Sequence, residues 1–231
     1  LSGASKLKSI AIAGLKAIGV SIAAVATGLS AATVQGVKYN AQIEEYTTSF
    51  ETMLGSAEHA QKMVNDLKSF ANTTPFEMTD LAKNTQTLLA FGTAADDIMP
   101  TLQMLGDISQ GNTDKMNSLT LAFAQMSSTG KLTGQDLLQM INAGFNPLNE
   151  MSKMTGKSVA QLKEEMSKGA ISSEMVAEAF KHATKEGGQF YNAMQNQSKT
   201  FNGQLSNLKD NWSSFLGSVT NGITNELKNK A

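Results

Sequence analysis

Apolar positions along this chain recur at three- and four-residue steps and do not alternate over any run of five or more, a pattern that predicts helices and no strand. The longest such pattern lies towards the C-terminal end. Phe201, Leu205, Leu208, Trp212, Phe215 and Val219 step by four, three, four, three, four, a heptad seam narrower than the face of an ordinary core helix. Phe190 and Met194 extend it upstream, Ile223 and Leu227 continue it downstream, and no proline falls between 186 and 227. So narrow a stripe predicts a long helix that needs a partner helix along one side. Gly187 and Gly188 close the helix before it.

The first forty residues differ from all that follows. Residues 17–34 carry no charge, and Lys6, Lys8 and Lys16 precede them. As a helix this run would measure about 27 Å, close to the ~30 Å hydrocarbon core of a bilayer. Ala17, Ile18, Val20, Ile22, Val25, Leu29 and Val34 are its candidate membrane-facing positions. Three readings stay open. The run could insert into a membrane, or serve as the apolar part of a signal peptide, for which it is long. It could also pack inside an assembly, where Ala and Gly let helices approach closely. The chain begins at Leu1 rather than Met, which suggests a piece of a longer protein.

Between these ends the punctuation is helical. Val37, Ile43, Phe50 and Leu54 fall roughly on one side, and Ser56 reads as the cap of a helix carrying Met63, Leu67 and Phe70. Thr74, Pro75 and Glu77 have the spacing of a capping box with a first-position proline, and Thr79-Asp80 offers a competing start. Leu81, Leu88 and Phe91 mark the next face, ended by Gly92. Pro100 is expected in the first turn of a helix burying Leu102, Leu105 and Ile108, and Met116, Leu119, Phe123 and Met126 step along another that ends before Gly130. Thr129-Gly130-Lys131 recurs as Thr155-Gly156-Lys157, with Gln135 and Met140 matching Gln161 and Met166 at the same offset, a weak internal repeat. Asn146-Pro147 starts one helix and Ser158 with Gln161 caps another. Gly169 terminates it, Ser172 or Ser173 restarts the chain, and Val176, Phe180 and Ala183 carry the last face. The fold class is all-α: an apolar N-terminal long helix over 1–40, a block of short packed helices over 41–188, and a C-terminal heptad helix over 189–231.

Composition narrows the chemistry. Hydrophobic residues make up 41% but aromatics only 6%, with 13 Met, so the core must be built from Leu, Ile, Met and Ala. On that reading Met63, Met116 and Met126 are core rather than an adaptable binding surface. Net charge is −1 and all 19 basic residues are lysine, which argues against sequence-specific nucleic-acid recognition. There is no cysteine, and His59 and His182 stand far apart, so no zinc site of ordinary spacing is expected and both histidines read as solvated surface residues. Gly156-Lys157-Ser158 ends like a phosphate loop, but Met151 stands where the first glycine belongs. Asp96-Asp97 and Glu164-Glu165 are neighbours in sequence whose side chains diverge on a helix; the first pair suits a helix start, where the dipole favours negative charge. No catalytic group, cofactor or metal is expected.

Several stretches in order resemble a known family: SFETMLGSAEHAQKMVNDLKSFANTTPFEMTDLAKNTQTLLAFG at 49–92, LGDISQGN at 105–112, GKLTGQDLLQMINAGFNPL at 130–148, and AISSEMVAEAFKHATKEGGQFYNAMQNQSKTFNGQLSNLKDNW at 170–212. Together they are similar to the N-terminal domain of phage tail tape measure proteins, from about residue 41 to 212. The resemblance implies a virion component that lies in the tail lumen, sets tail length and is polymerised upon in the host cytoplasm. Its implied partners are tail tube and tail tip proteins, assembly chaperones and further copies of itself. It also implies departure ahead of the genome on infection, with hydrophobic segments meeting the host membrane. The alternative is a membrane-active helical protein, pore-forming or anchoring. A peptidoglycan hydrolase would need an acid or metal cluster that the sequence lacks.

Overall fold

In the computed structural model, residues 22–200 and 208–214 are described, and among them the chain is all-helical apart from one isolated antiparallel bridge between Lys131 and Ser172. Ten helices have defined bounds: α1 Ile22–Leu54, α2 Ala57–Thr73, α3 Met78–Ala90, α4 Ala95–Ile108, α5 Thr113–Thr129, α6 Gly134–Asn142, α7 Pro147–Thr155, α8 Val159–Ser167, α9 Ser173–Thr184 and α10 Ala193–Ser198. Residues 208–214 are helical as well. The chain divides into two compact units, and among the described residues one takes 22–44 and 211–214, the other 45–200 and 208–210.

In the larger unit α4 is enclosed by its neighbours. It packs on α3, α5, α9 and α10, and its second half is buried on every side, from Met104 through Ser109. Helices of ordinary globular domains keep one polar face; this one has none along that half because neighbours cover it all round. Gly106 is what admits one of them. A Cβ there would stand 2.7 Å from the Met194 sulfur and 3.1 Å from the Phe76 ring.

The helix boundaries follow local chemistry. Ser56 accepts the His59 N–H at 3.2 Å, Asn112 the Lys115 N–H at 2.9 Å, and Asn146 the Leu148 N–H at 3.1 Å, each relieving donors that a helix start leaves unpaired. Ser158 and Gln161 form a reciprocal capping box as expected, and Ser172 caps α9. Gly130 and Gly156 both end helices in the left-handed conformation, at φ 74° and 73°. The repeated Thr-Gly-Lys is therefore a repeated helix stop. It extends no further: Gln161 is the third residue after its cap Ser158, whereas Gln135 is the second after Thr133.

Two boundaries and several placements differ from expectation. Thr74 does not cap α3. It ends α2, its hydroxyl donating to the Phe70 carbonyl at 2.8 Å, and Phe76 is driven fully into the core, so the helix starts only at Met78. Burying the phenylalanine outweighs the capping box. Pro100 lies one turn further in than its first-turn placement, because α4 opens at Ala95 with Asp96 and Asp97 in its first turn. Phe190 and Met194 do not lead into the downstream seam: both are buried in the larger unit, Phe190 edge-on to Phe145 at 6.0 Å. On α1 the buried residues include Tyr46 and Phe50, while Val37 is exposed.

Phe91, expected on the buried face with Leu81 and Leu88, is instead exposed, while the rest of the core matches the helical stepping. Leu81, Leu88, Leu102, Leu105, Met116, Leu119, Met126, Val176, Phe180 and Ala183 are all fully buried, with Met63 and Phe123 nearly so. The aromatic centre is Phe180, edge-on to Phe123 at 5.3 Å and to Phe145 at 4.4 Å. An antiparallel clip ties the α5–α6 turn to the start of α9: Leu132 N–H donates to Ile171 at 2.9 Å and Ser173 N–H to Gly130 at 3.1 Å.

Candidate interaction surface

The residues of the predicted seam divide between described and undescribed chain. Phe201, Leu205, Phe215 and Val219 lie outside the described residues. Leu208, in the larger unit, and Trp212, in the smaller, are both on the helical stretch 208–214. Leu208 is 64% exposed and Trp212 53%. Asp210, Ser213 and Ser214 are only partly exposed, and in the smaller unit the Ser214 hydroxyl lies 2.9 Å from the Tyr39 hydroxyl. Each unit thus keeps a large apolar side chain substantially exposed on this stretch, Leu208 in the larger and Trp212 in the smaller.

Of the candidate membrane segment, Ala17, Ile18 and Val20 lie outside the described residues, and Ile22, Val25, Leu29 and Val34 fall on α1. No helix among the described residues is long and apolar enough to cross a membrane.

Polar chemistry gathers at three places in the larger unit. Glu150 on α7, 5% exposed, accepts from Lys153 at 2.8 Å and pairs with His182 Nδ1 on α9 at 2.6 Å. Burial pushes its carboxyl up, but the two donors outweigh burial and hold it below the usual glutamate value. His182 is thus a structural partner rather than a free surface residue; His59 is exposed, as expected. The sequence held no sign of this pair, because its members come from helices 32 residues apart. At the second place, Asp210 is pushed up to about 6, first by burial and then by Glu77 and Asp80, against the pull of Lys209. One of its oxygens is buried with no hydrogen-bond partner, and Lys209 is paired with Glu77. The third is Asp107, buried beneath α10, where burial raises its carboxyl above the aspartate range while bonds from Met194 N–H and Gln103 work the other way.

An open groove of about 720 Å³ runs between α4, α5 and α9, floored by Met104 and Phe123 and rimmed by Asp97, Lys181 and Lys185. Lys181 is engaged by Glu178 at 2.8 Å. Among the described residues no three His, Cys, Asp or Glu side chains are grouped to hold a metal, and none of the polar sites pairs a nucleophile with a base.

No curated protein and no solved structure matches the chain significantly. A family model described as tape measure protein does match, across residues 34–221, from α1 through the exposed Leu208 and Trp212; the chain belongs to the tape measure protein family.

Proposed function

We propose that this chain forms part of the molecule that sets the length of a phage tail, acting during tail assembly and again when the genome is ejected. The match over residues 34–221 carries the reading. A structural role in a phage tail follows from the family; the length-setting, assembly and ejection steps are the proposal. In it, the larger unit is a folded head, and the seam from Phe201 to Val219 docks against further copies of the chain or against tail tube and tip proteins. The exposure of Leu208 and Trp212 supports that use of the seam.

The test is tail length by electron microscopy in virions whose tape measure gene carries in-frame deletions outside the region encoding these residues. Tails should shorten by about 1.5 Å for each helical residue removed. Tails of unchanged length would overturn the length-setting role. The membrane-active reading rests on one observation, the uncharged run 17–34. Leakage of liposomes by the chain, abolished by removal of its first 38 residues, would support that reading; no leakage would end it.

A further inference from the structure

The segment after α9 is seated differently from the rest of the larger unit. Gly187 turns the chain at φ 81°, and Gly188 lies so close to α9 that a Cβ would stand 2.5 Å from the Ala183 carbonyl oxygen. Phe190 N–H donates to that same carbonyl at 2.9 Å. Asn192 then takes the left-handed conformation at φ 52°, which asparagine tolerates better than most residues, and the six residues of α10 follow.

From Tyr191 to Ser198, one hydrogen bond among the described residues reaches a distant part of the chain: Met194 N–H to Asp107 Oδ1, at 3.0 Å. The other bonds of these residues are local, such as Asn196 to Asn192 and Ser198 to Gln195. Apolar attachment is just as concentrated. Met194 is fully buried with its sulfur over Gly106, and Gln197 reaches the neighbourhood of Gly111 and Pro75. Of the helices, α4 is the one that α10 packs against substantially. On its other side Asp107 accepts from Gln103 Nε2 at 3.1 Å, and among the described residues no cation is paired with it.

We propose that residues 191–198 form a releasable strap, hinged at the buried Phe190 and pinned to α4 by the Met194–Asp107 hydrogen bond and the Met194–Gly106 contact, which opens as a unit while Phe190 and the helices beneath stay in place. The physical ground is the asymmetry of attachment. Locally held segments with few buried contacts open at lower free energy than the core they cover, and opening this one returns a buried carboxylate to water. The helices beneath keep their own partners when it leaves: α4 still packs on α3, α5 and α9, and Phe180 still meets Phe123 and Phe145.

Amide hydrogen exchange on the 231-residue chain tests this, beginning with the wild type. Amides of 191–198 should exchange at least about tenfold faster than those of α4 and α9, with weaker dependence on denaturant. Exchange in step with α4 and α9 would overturn the proposal. Asp107→Ala and Met194→Ala should each speed exchange of 191–198 about tenfold further and leave α9 nearly unchanged. Met194→Ala acts from the strap side and does not touch α4's own sequence, so it stays informative if Asp107→Ala fails to fold. Asp107→Asn keeps an oxygen acceptor and should retain the strap's protection. Unchanged strap exchange in Met194→Ala would refute the pin.

Discussion

At the scale of single residues, charge decides more than the near-zero net charge suggests. Asp210 is the clearest case. Its carboxyl titrates near 6 in the folded chain against an ordinary value of 3.8, so the folded state holds its proton more tightly than the unfolded one. That contribution to stability is fully present below about pH 4 and is lost as pH rises through 6. Ionised at pH 7 beside Glu77 and Asp80, the carboxylate is a net cost. Asp210→Asn should therefore stabilise the chain at pH 7, by about 1 kcal/mol once solvent screening of a half-exposed group is allowed for. The gain should vanish at pH 4, as read by urea denaturation of both proteins at the two pH values. Equal stability of the pair at pH 7 would mean that water already solvates the site. The Glu150–His182 pair and the Asp107 bond have the same origin in tertiary packing. Neither has a spacing a reader could find, since each joins residues on helices whose approach is set by the core.

The helices themselves were far more legible. Apolar steps located most buried faces because a helix facing a core must repeat every three to four residues, and the Ser56, Asn146, Ser158 and Ser172 caps follow from donors that every helix start leaves unpaired. Where the reading failed, burial overrode a local signal: Phe76 enters the core and Thr74 gives up its cap. One local signal was missed altogether. Thr133 and Asp136 form a second capping box, Asp136 N–H to Thr133 Oγ1 at 3.3 Å and Thr133 N–H to Asp136 Oδ2 at 3.0 Å. Asp stands there in place of the commoner Glu or Gln. Its carboxylate is buried at 5% exposure, so this box should matter more than the solvated one at Ser158. Thr133→Ala is expected to cost about 1–2 kcal/mol in urea denaturation, Thr133→Ser less than half of that, and Ser158→Ala about 0.5 kcal/mol. A reversed order would show that exposure does not govern these caps.

For the whole molecule, the question is whether the seam closes on the chain's own core or on another chain. An intradomain seam would bury Leu208 and Trp212, and each truncation would then unfold the chain by several kcal/mol, as buried large side chains do. Their exposures of 64% and 53% argue the other way, since replacing exposed side chains changes stability little. Leu208→Asp and Trp212→Asp should thus leave thermal unfolding of a dilute sample within a degree or two of wild type. At higher concentration the same changes should shift light-scattering mass from the associated species to the single chain, because an aspartate in a heptad seam buries an unpaired charge. The two readouts separate the cases. Lowered melting with unchanged mass would make the seam part of the chain's own core. Unchanged melting and unchanged mass in a wild type that is already a single chain would leave the seam to a tail protein, and the same variants would then be expected to fail in tail assembly.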